Sequence, residues 1–193
     1  MVCAMSQSSN LHRTSQMRVL AHPTRLRLLA LLRELGPQTA AHLAKHVDEA
    51  AGTLSYHLAK LAEEGFIEPA PEVGTDARQR WWRASNEKTS WTNAEFSSDP
   101  EKLSAQKDMY RFVFQYYSQQ FDTYLDQTVT LTDDWVNSGF ATDRHFHLTS
   151  HQLQELNTEI QALEQRWLEI SALNKGNDDA AAVFFLAQGY RQP

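Results

Sequence analysis

Cysteine is nearly missing from this chain. Cys3 is the single one, so no intrachain disulfide can form, and in a polar tail it reads as an incidental exposed thiol. Glycine is sparse as well. The seven glycines are scattered, and no Gly-rich loop is available to cradle a phosphate. A G-x-S-x-G elbow and an H-E-x-x-H pair are both lacking. Asp133-Asp134 suits a helix cap or turn better than a catalytic pair, so nothing points to an enzyme. No apolar run approaches the roughly 18 residues of a membrane span. The opening "MVCAMSQSSN" has no charged region followed by an apolar one, as a secretory signal would. A cytoplasmic chain with no membrane partner is therefore expected.

What is present is enough apolar material for a real core. Of 193 residues, 41% are hydrophobic, which suits one domain or two small ones. Acidic residues outnumber basic ones, 24 to 18, a formal charge of −6. The imbalance is local. Residues 1–92 hold 11 Lys/Arg and 9 Asp/Glu, whereas residues 93–193 hold 7 and 15. A nucleic-acid partner feels the surface it touches and not the whole-chain charge.

Residues 1–11 read as a disordered polar tail. "TSQMRVLA" (14–21) suggests a short helix. A helix then opens at Pro23, where the missing N–H costs nothing, with His22 as N-cap. Its apolar face is Leu28, Leu31, Leu32 and Leu35, and Gly36-Pro37 ends it. "TAAHLAKHV" (39–47) is a second helix capped by Thr39. The third runs from about Ala50 to Glu64, with Leu54, Leu58 and Leu61 inward and Gly65 suited to a left-handed C-terminal stop. "FIEPAPEVGTDARQRWWRAS" (66–85) reads as a β-hairpin, turning at Gly74 to Asp76, with Pro69 and Pro71 fit only for an edge or loop.

Helix, helix, turn, helix and hairpin form the plan of a winged helix-turn-helix. "LAHPTRLRLLALL", "TAAHLAKHVDEAAGTLSYHLAKLAEEGFIE" and the hairpin together resemble the ArsR family of transcriptional repressors, from about Ser15 to Ser85. The resemblance implies a DNA reader, expected as residues 12–92. On a helical wheel with the three leucines inward, Tyr56 and Gly52 point outward, flanked by Thr53, Ser55 and Lys60. Hydroxyl groups of this kind bond base edges or phosphates. The family resemblance implies that Thr53, Ser55 and Tyr56 face the major groove. His57 lies at the edge of the buried stripe, which favours a structural or phosphate-contacting role. Arg78 and Arg80 fall in or beside the wing, where they suit a phosphate or minor groove. Thr39 offers a helix-start N–H to phosphate, or is a cap alone.

"EFSSDPEK" places a linker at 93–100. The rest, 101–193, reads as an acidic, mostly helical dimerisation or sensing domain. A long helix at about 101–129 bears Leu103, Tyr110, Tyr117 and Tyr124 every seventh residue, with Phe114 and Phe121 beside them. "FATDRHFHL" (140–148) alternates as a strand. Thr149 and Gln152 form a capping box, and a stripe runs Leu153, Leu156, Ile160, Leu163, Trp167, Ile170. "AVFFLA" (182–187) reads as a short buried strand, pairing with 140–148 into a two-stranded sheet. "FHLTSHQLQELNTEI" and "AVFFLAQGYRQP" resemble a C-terminal extension carried by one branch of ArsR-type regulators. The fold expected is thus mainly α with small β.

Sensing has two candidate sites. ArsR-type thiolate sites place cysteines where this chain has "HLAKHVDEA", so none exists there. Asp143, His145 and His147 alternate on one strand face, with His151 nearby, and have the donor types for zinc or nickel; an exposed polar face is the plainer reading, and no cofactor is expected. The aromatic residues of 110–146, from Tyr110 to Phe146, suit either an effector pocket or a core and dimer interface. The reading favoured is a homodimeric repressor on an inverted-repeat operator. A ligand-responsive sensor, or a winged-helix interaction module without DNA, are the alternatives.

Overall fold

The computed structural model of the chain describes residues 8–10, 13–73, 79–90, 96, 99–174 and 176–192. It falls into two units, Met1–Leu131 and Thr132–Pro193. In the first, strand β1 (Ser8–Asn10) precedes helices α1 (Thr14–Leu20) and α2 (Pro23–Leu35). His22 has extended backbone as N-cap of α2. Leu28, Leu29, Leu31 and Leu32 are buried, while Leu35 is exposed near the stop at Gly36.

Strand β2 (Gln38–Thr39) leads directly into α3 (Ala40–Leu43), which is four residues long. The expected helix over 39–47 is thus cut short, and 44–46 form turns. Helix α4 (Ala51–Glu63) follows. It ends as its sequence requires: Gly65 takes φ 76°, its N–H donates to the Ala62 carbonyl, and the Phe66 N–H donates to the Leu61 carbonyl. This reciprocal pair satisfies carbonyls that a helix end leaves open. Strands β3 (Ile67–Pro69) and β4 (Trp81–Ala84) form the hairpin, and β2 adds to it in the order β2-β4-β3, all antiparallel. Pro69 lies on the edge strand, where its missing donor breaks no ladder. The third strand was not expected, since two residues carry no period.

Strand β5 (Lys88–Ser90) pairs in parallel with β1. Ser8–Asn10 is therefore strand, not tail; main-chain pairing holds it, and a polar Ser-Ser-Asn run gives no apolar signal of that. Helix α5 (Pro100–Gln127) is capped by Asp99, whose carboxylate accepts from the Glu101 and Lys102 N–H groups. Ala105, Met109 and Val113 of α5 join one core with Met17, Leu20, Leu28, Leu54, Leu58, Leu61, Phe66 and Trp82. The reading that parts the chain at 93–100 therefore differs from the compact units. The first half of α5 is buried on the reader's own helices.

The second unit holds α6 (Asp133–Ser138) and α7 (Ser150–Leu173). Thr149 and Gln152 make the expected capping box. Leu153, Leu156, Ile160 and Leu163 are half-buried, but Trp167 and Ile170 are exposed. Residues 140–148 and 182–187 form no strand ladder, and the run expected to be buried, 182–187, is exposed. The two-stranded sheet expected here is thus not formed within the chain. Alternating or apolar side chains mark a segment as strand-forming, but they do not supply its partner.

Candidate nucleic-acid interface

Helix α4 divides by face as its sequence requires. Leu54, Leu58 and Leu61 are fully buried. Gly52, Thr53, Ser55 and Tyr56 are exposed on the other side, Tyr56 by 57%. At thirteen residues the helix is roughly 20 Å long, a length that lies readily in a major groove about 12 Å wide. A side chain at Gly52 would meet nothing within 4 Å, so the chain leaves open space there. The Ser55 hydroxyl donates back to the Ala51 carbonyl at 2.9 Å and keeps its lone pairs for an incoming donor.

The charged groups near this face are mostly engaged. Lys60 Nζ lies 2.7 Å from a Glu63 oxygen and 6.0 Å from the centre of the Tyr56 ring. The Glu63 hydrogen bond raises the Lys60 pKa above its usual value. In the hairpin, Arg83 bridges Glu68 at 2.8 Å and also pairs with Glu72, and its pKa is raised by the Glu68 hydrogen bond first and then by the Glu72 charge. Arg80 is exposed and stacks over the Trp82 ring at 4.2 Å, so its guanidinium is held at the wing by a cation–π contact. Arg78 lies outside the described residues.

Two expected contacts change role. Thr39 is buried, its hydroxyl accepts from the His42 N–H at 3.1 Å, and its strand pairs with Trp81. It is seen as a cap. His57 is 7% exposed and belongs to a cluster beneath the start of α4. Its Nε2 is 3.6 Å from a Glu49 oxygen, and its ring lies 4.6 Å from that of His22. The Thr24 hydroxyl donates to the other Glu49 oxygen. Burial takes His57 off the contact face and makes it a support. Burial also lowers the pKa of both histidines below 6.5; Arg25 adds to the lowering at each, and the Glu49 carboxylate opposes it. Nδ1 of each has no hydrogen-bond partner among the described residues.

This cluster is what the sequence reading missed. No period links Thr24, Glu49 and His57, so their spacing gives no signal. Arg33 was also overlooked. It is half-buried, donates to the Asn86 carbonyl at 3.1 Å and the Thr89 hydroxyl at 2.8 Å, and so ties α2 to the chain after the wing. Burial lowers its pKa to about 10, and it remains charged at neutral pH.

The metal candidates do not assemble. Asp143, His145 and His147 are exposed, and no group of three or more such donors suited to an ion occurs among the described residues. Alternate residues of an extended chain lie about 6.6 Å apart, so one segment alone splays its donors. His151 instead faces Glu155 at 3.5 Å. No helix among the described residues is long and apolar enough to cross a membrane.

Comparison with known proteins places this geometry. Residues 20–70 match a family model described as a helix-turn-helix domain, and that stretch spans α2, α3, α4 and β3. The crystal structure of a possible transcriptional regulator for arsenical resistance is similar at 28% identity, over 56% of this chain and 95% of that one, with a TM-score of 0.33. A score so low says nothing about the fold. No curated protein matches the chain. The chain carries a helix-turn-helix domain, and the resemblance to ArsR-type winged helix-turn-helix regulators stands for this stretch.

Proposed function

We propose that the chain is a sequence-specific transcriptional regulator that acts as a repressor, binding an inverted-repeat operator as a homodimer. One observation carries this reading: α4 buries three leucines on one side and leaves Gly52, Thr53, Ser55 and Tyr56 uncovered on the other, next to a two-stranded wing. Thr53, Ser55 and Tyr56 read base edges. Lys60 and Arg80, with Arg78, supply phosphate contacts. DNA reading is assigned to residues 12–92, whose core the first half of α5 completes, and dimerisation or sensing to the rest of 101–193.

A winged helix reads one half-site, and two copies spaced by one helical turn, about 34–36 Å, read two. Helix α5 supports pairing. Tyr110 stacks on Phe114 at 5.7 Å, Phe114 meets Tyr117 edge-on at 6.2 Å, and Phe121 lies 5.9 Å from Tyr124. Phe121, on this stripe, is exposed. The rings lie along one helix as a stripe, which favours an interface over an effector pocket. Any effector acts by changing the relative populations of reader arrangements that do and do not span the operator.

The experiment selects bound sites from fragmented genomic DNA, then measures affinity by fluorescence anisotropy for wild type and for Ser55→Ala with Tyr56→Ala. Each good base contact contributes about 1–3 kcal/mol, so the double variant should lose on the order of 30-fold or more in specific affinity. Its weak, sequence-independent binding should remain. Unchanged specific affinity with an intact fold would refute the assignment of the reading face. An interaction module that has lost DNA binding would select no sites at all.

A further inference from the structure

The second unit leaves strand-forming chain uncovered. Residues 140–148 are non-helical, flanked by extended backbone at Gly139 and Thr149, and no backbone hydrogen bond joins them to another described residue. After α7 the chain turns at 177–180 and runs back along the helix. A Cβ on Gly189 would lie 3.2 Å from Leu153 Cδ1, at the far end of α7. That return covers roughly 30 Å in about fifteen residues, the first of which make the turn, so the rest is close to fully stretched. These segments are apolar. Phe140, Phe146 and Leu148 are exposed by 77%, 64% and 44%, and Val183, Phe185 and Leu186 by 75%, 45% and 46%.

We propose that residues 140–148 and 181–190 are an interaction surface for the same segments of a second copy of this chain, the two copies completing one β-sheet. Three points favour that occupant. Strand edges recruit strands, because row upon row of N–H and C=O groups need partners. The unit offers both an alternating segment, suited to a half-buried strand, and a continuous apolar one, suited to a sheet interior, so a two-fold pair supplies everything the sheet lacks. The area also matches. Taking roughly 150–250 Å² for a large side chain, the six residues expose on the order of 650 Å² per copy. Two copies then bury about 1,300 Å², within the range of about 1,200–2,000 Å² for stable specific interfaces. The inference rests on the two-copy reading above, but it locates an interface outside α5.

The test uses the full-length protein. Light scattering gives its mass, and amide hydrogen exchange resolved by segment gives protection at 141–147. The comparison variant is Arg144→Pro with His145→Pro, which removes adjacent donors and therefore one from each edge. Neither N–H has a partner among the described residues; the described contact that is lost is the exposed bond from the Arg144 guanidinium to the neighbouring Asp143 carbonyl, 2.9 Å. Wild type should be a dimer with protected amides at 141–147. The variant should dimerise at least about 100-fold more weakly and lose that protection, while α4 amides stay protected. A monomeric wild type, a dimer whose 141–147 amides exchange freely, or a variant that dimerises as tightly as wild type overturns the proposal. DNA binding is scored separately. Failure to select an operator with 141–147 protected in a dimer counts against the DNA reading alone.

Discussion

Acidification should loosen the reader. His22 and His57 sit with ring centres 4.6 Å apart, His57 on the buried side of α4, and burial holds both pKa values below 6.5. A group whose folded pKa is depressed binds its proton more readily when unfolded. For these two, the full contribution is therefore present above about pH 7, and it shrinks as pH falls below the unfolded value near 6.5 towards the lower folded values. Each histidine contributes a slope of at most about 1.4 kcal/mol per pH unit between its unfolded and folded values. The Glu49 carboxylate favours a charged His57 and reduces this, whereas Arg25 acts the other way at both rings. Against a typical total of about 5–15 kcal/mol the change is easily measured. Urea midpoints followed by far-ultraviolet circular dichroism between about pH 7.5 and about 5.5 give the slope, and His22→Gln with His57→Gln removes its source. The double variant should be flatter in pH even if less stable at neutral pH. A variant as acid-sensitive as wild type would show that other groups govern the window and refute the reasoning.

The two faces of α4 should separate stability from recognition: Leu58→Ala, at a fully buried site, should cost about 2–5 kcal/mol of unfolding free energy, while Tyr56→Ala should leave stability within about 0.5 kcal/mol and weaken operator binding. Gly65→Ala should cost about 1–2 kcal/mol, read from denaturation midpoints, because φ is 76° and an L-residue is strained there; since no atom lies within 4 Å of the added Cβ, the cost is in the backbone alone. Arg33→Met should destabilise by about 1.5–3 kcal/mol by leaving the Asn86 carbonyl and Thr89 hydroxyl without their charged donor, with faster amide exchange at 88–90 as the local readout. The slope of log affinity against log salt should be shallow, corresponding to a few phosphates per copy at about −0.9 each; a slope near −10 would contradict the ion pairing seen around α4 and the wing.

The parts of this fold that were legible are those fixed by local chemistry. Pro23, the leucine spacing of α2 and α4, Gly65 and the Thr149–Gln152 box each set an element through neighbours in sequence. What escaped depends on distant partners. Strand β2 exists because Trp81 and Trp82 lie beside Gln38 and Thr39, and β1 because Lys88–Ser90 lies beside Ser8–Asn10. The first half of α5 belongs to the reader's core because Met109 and Val113 are buried with Met17 and Leu20, which its aromatic heptads do not announce. At the site, the wheel assigned Tyr56 and the leucines correctly. His57 could not be settled that way, since a position at the edge of a stripe is decided by whatever packs next to it, here His22 and Glu49.

An acidic chain with a DNA-reading face is less paradoxical once the ion pairs are counted by place. The first half is nearly balanced, and much of its basic charge is already committed: Arg13 to Glu64 at 3.3 Å, Arg18 to Glu101 at 2.8 Å, Lys60 to Glu63 and Arg83 to Glu68 and Glu72. Arg33 is half-buried and bonded to Asn86 and Thr89. The cations that remain to meet phosphate are few, so the attraction to arbitrary duplex is weak. That shifts the weight of recognition to hydroxyl and ring contacts at base edges, which carry sequence information where phosphate contacts do not. A reader of this kind gains little from a single half-site. In the homodimer proposed above, affinity would come from engaging two at once, where the second contact is intramolecular and the gain is set by geometry. The second unit is acidic as well, and its surplus carboxylates oppose binding to arbitrary duplex.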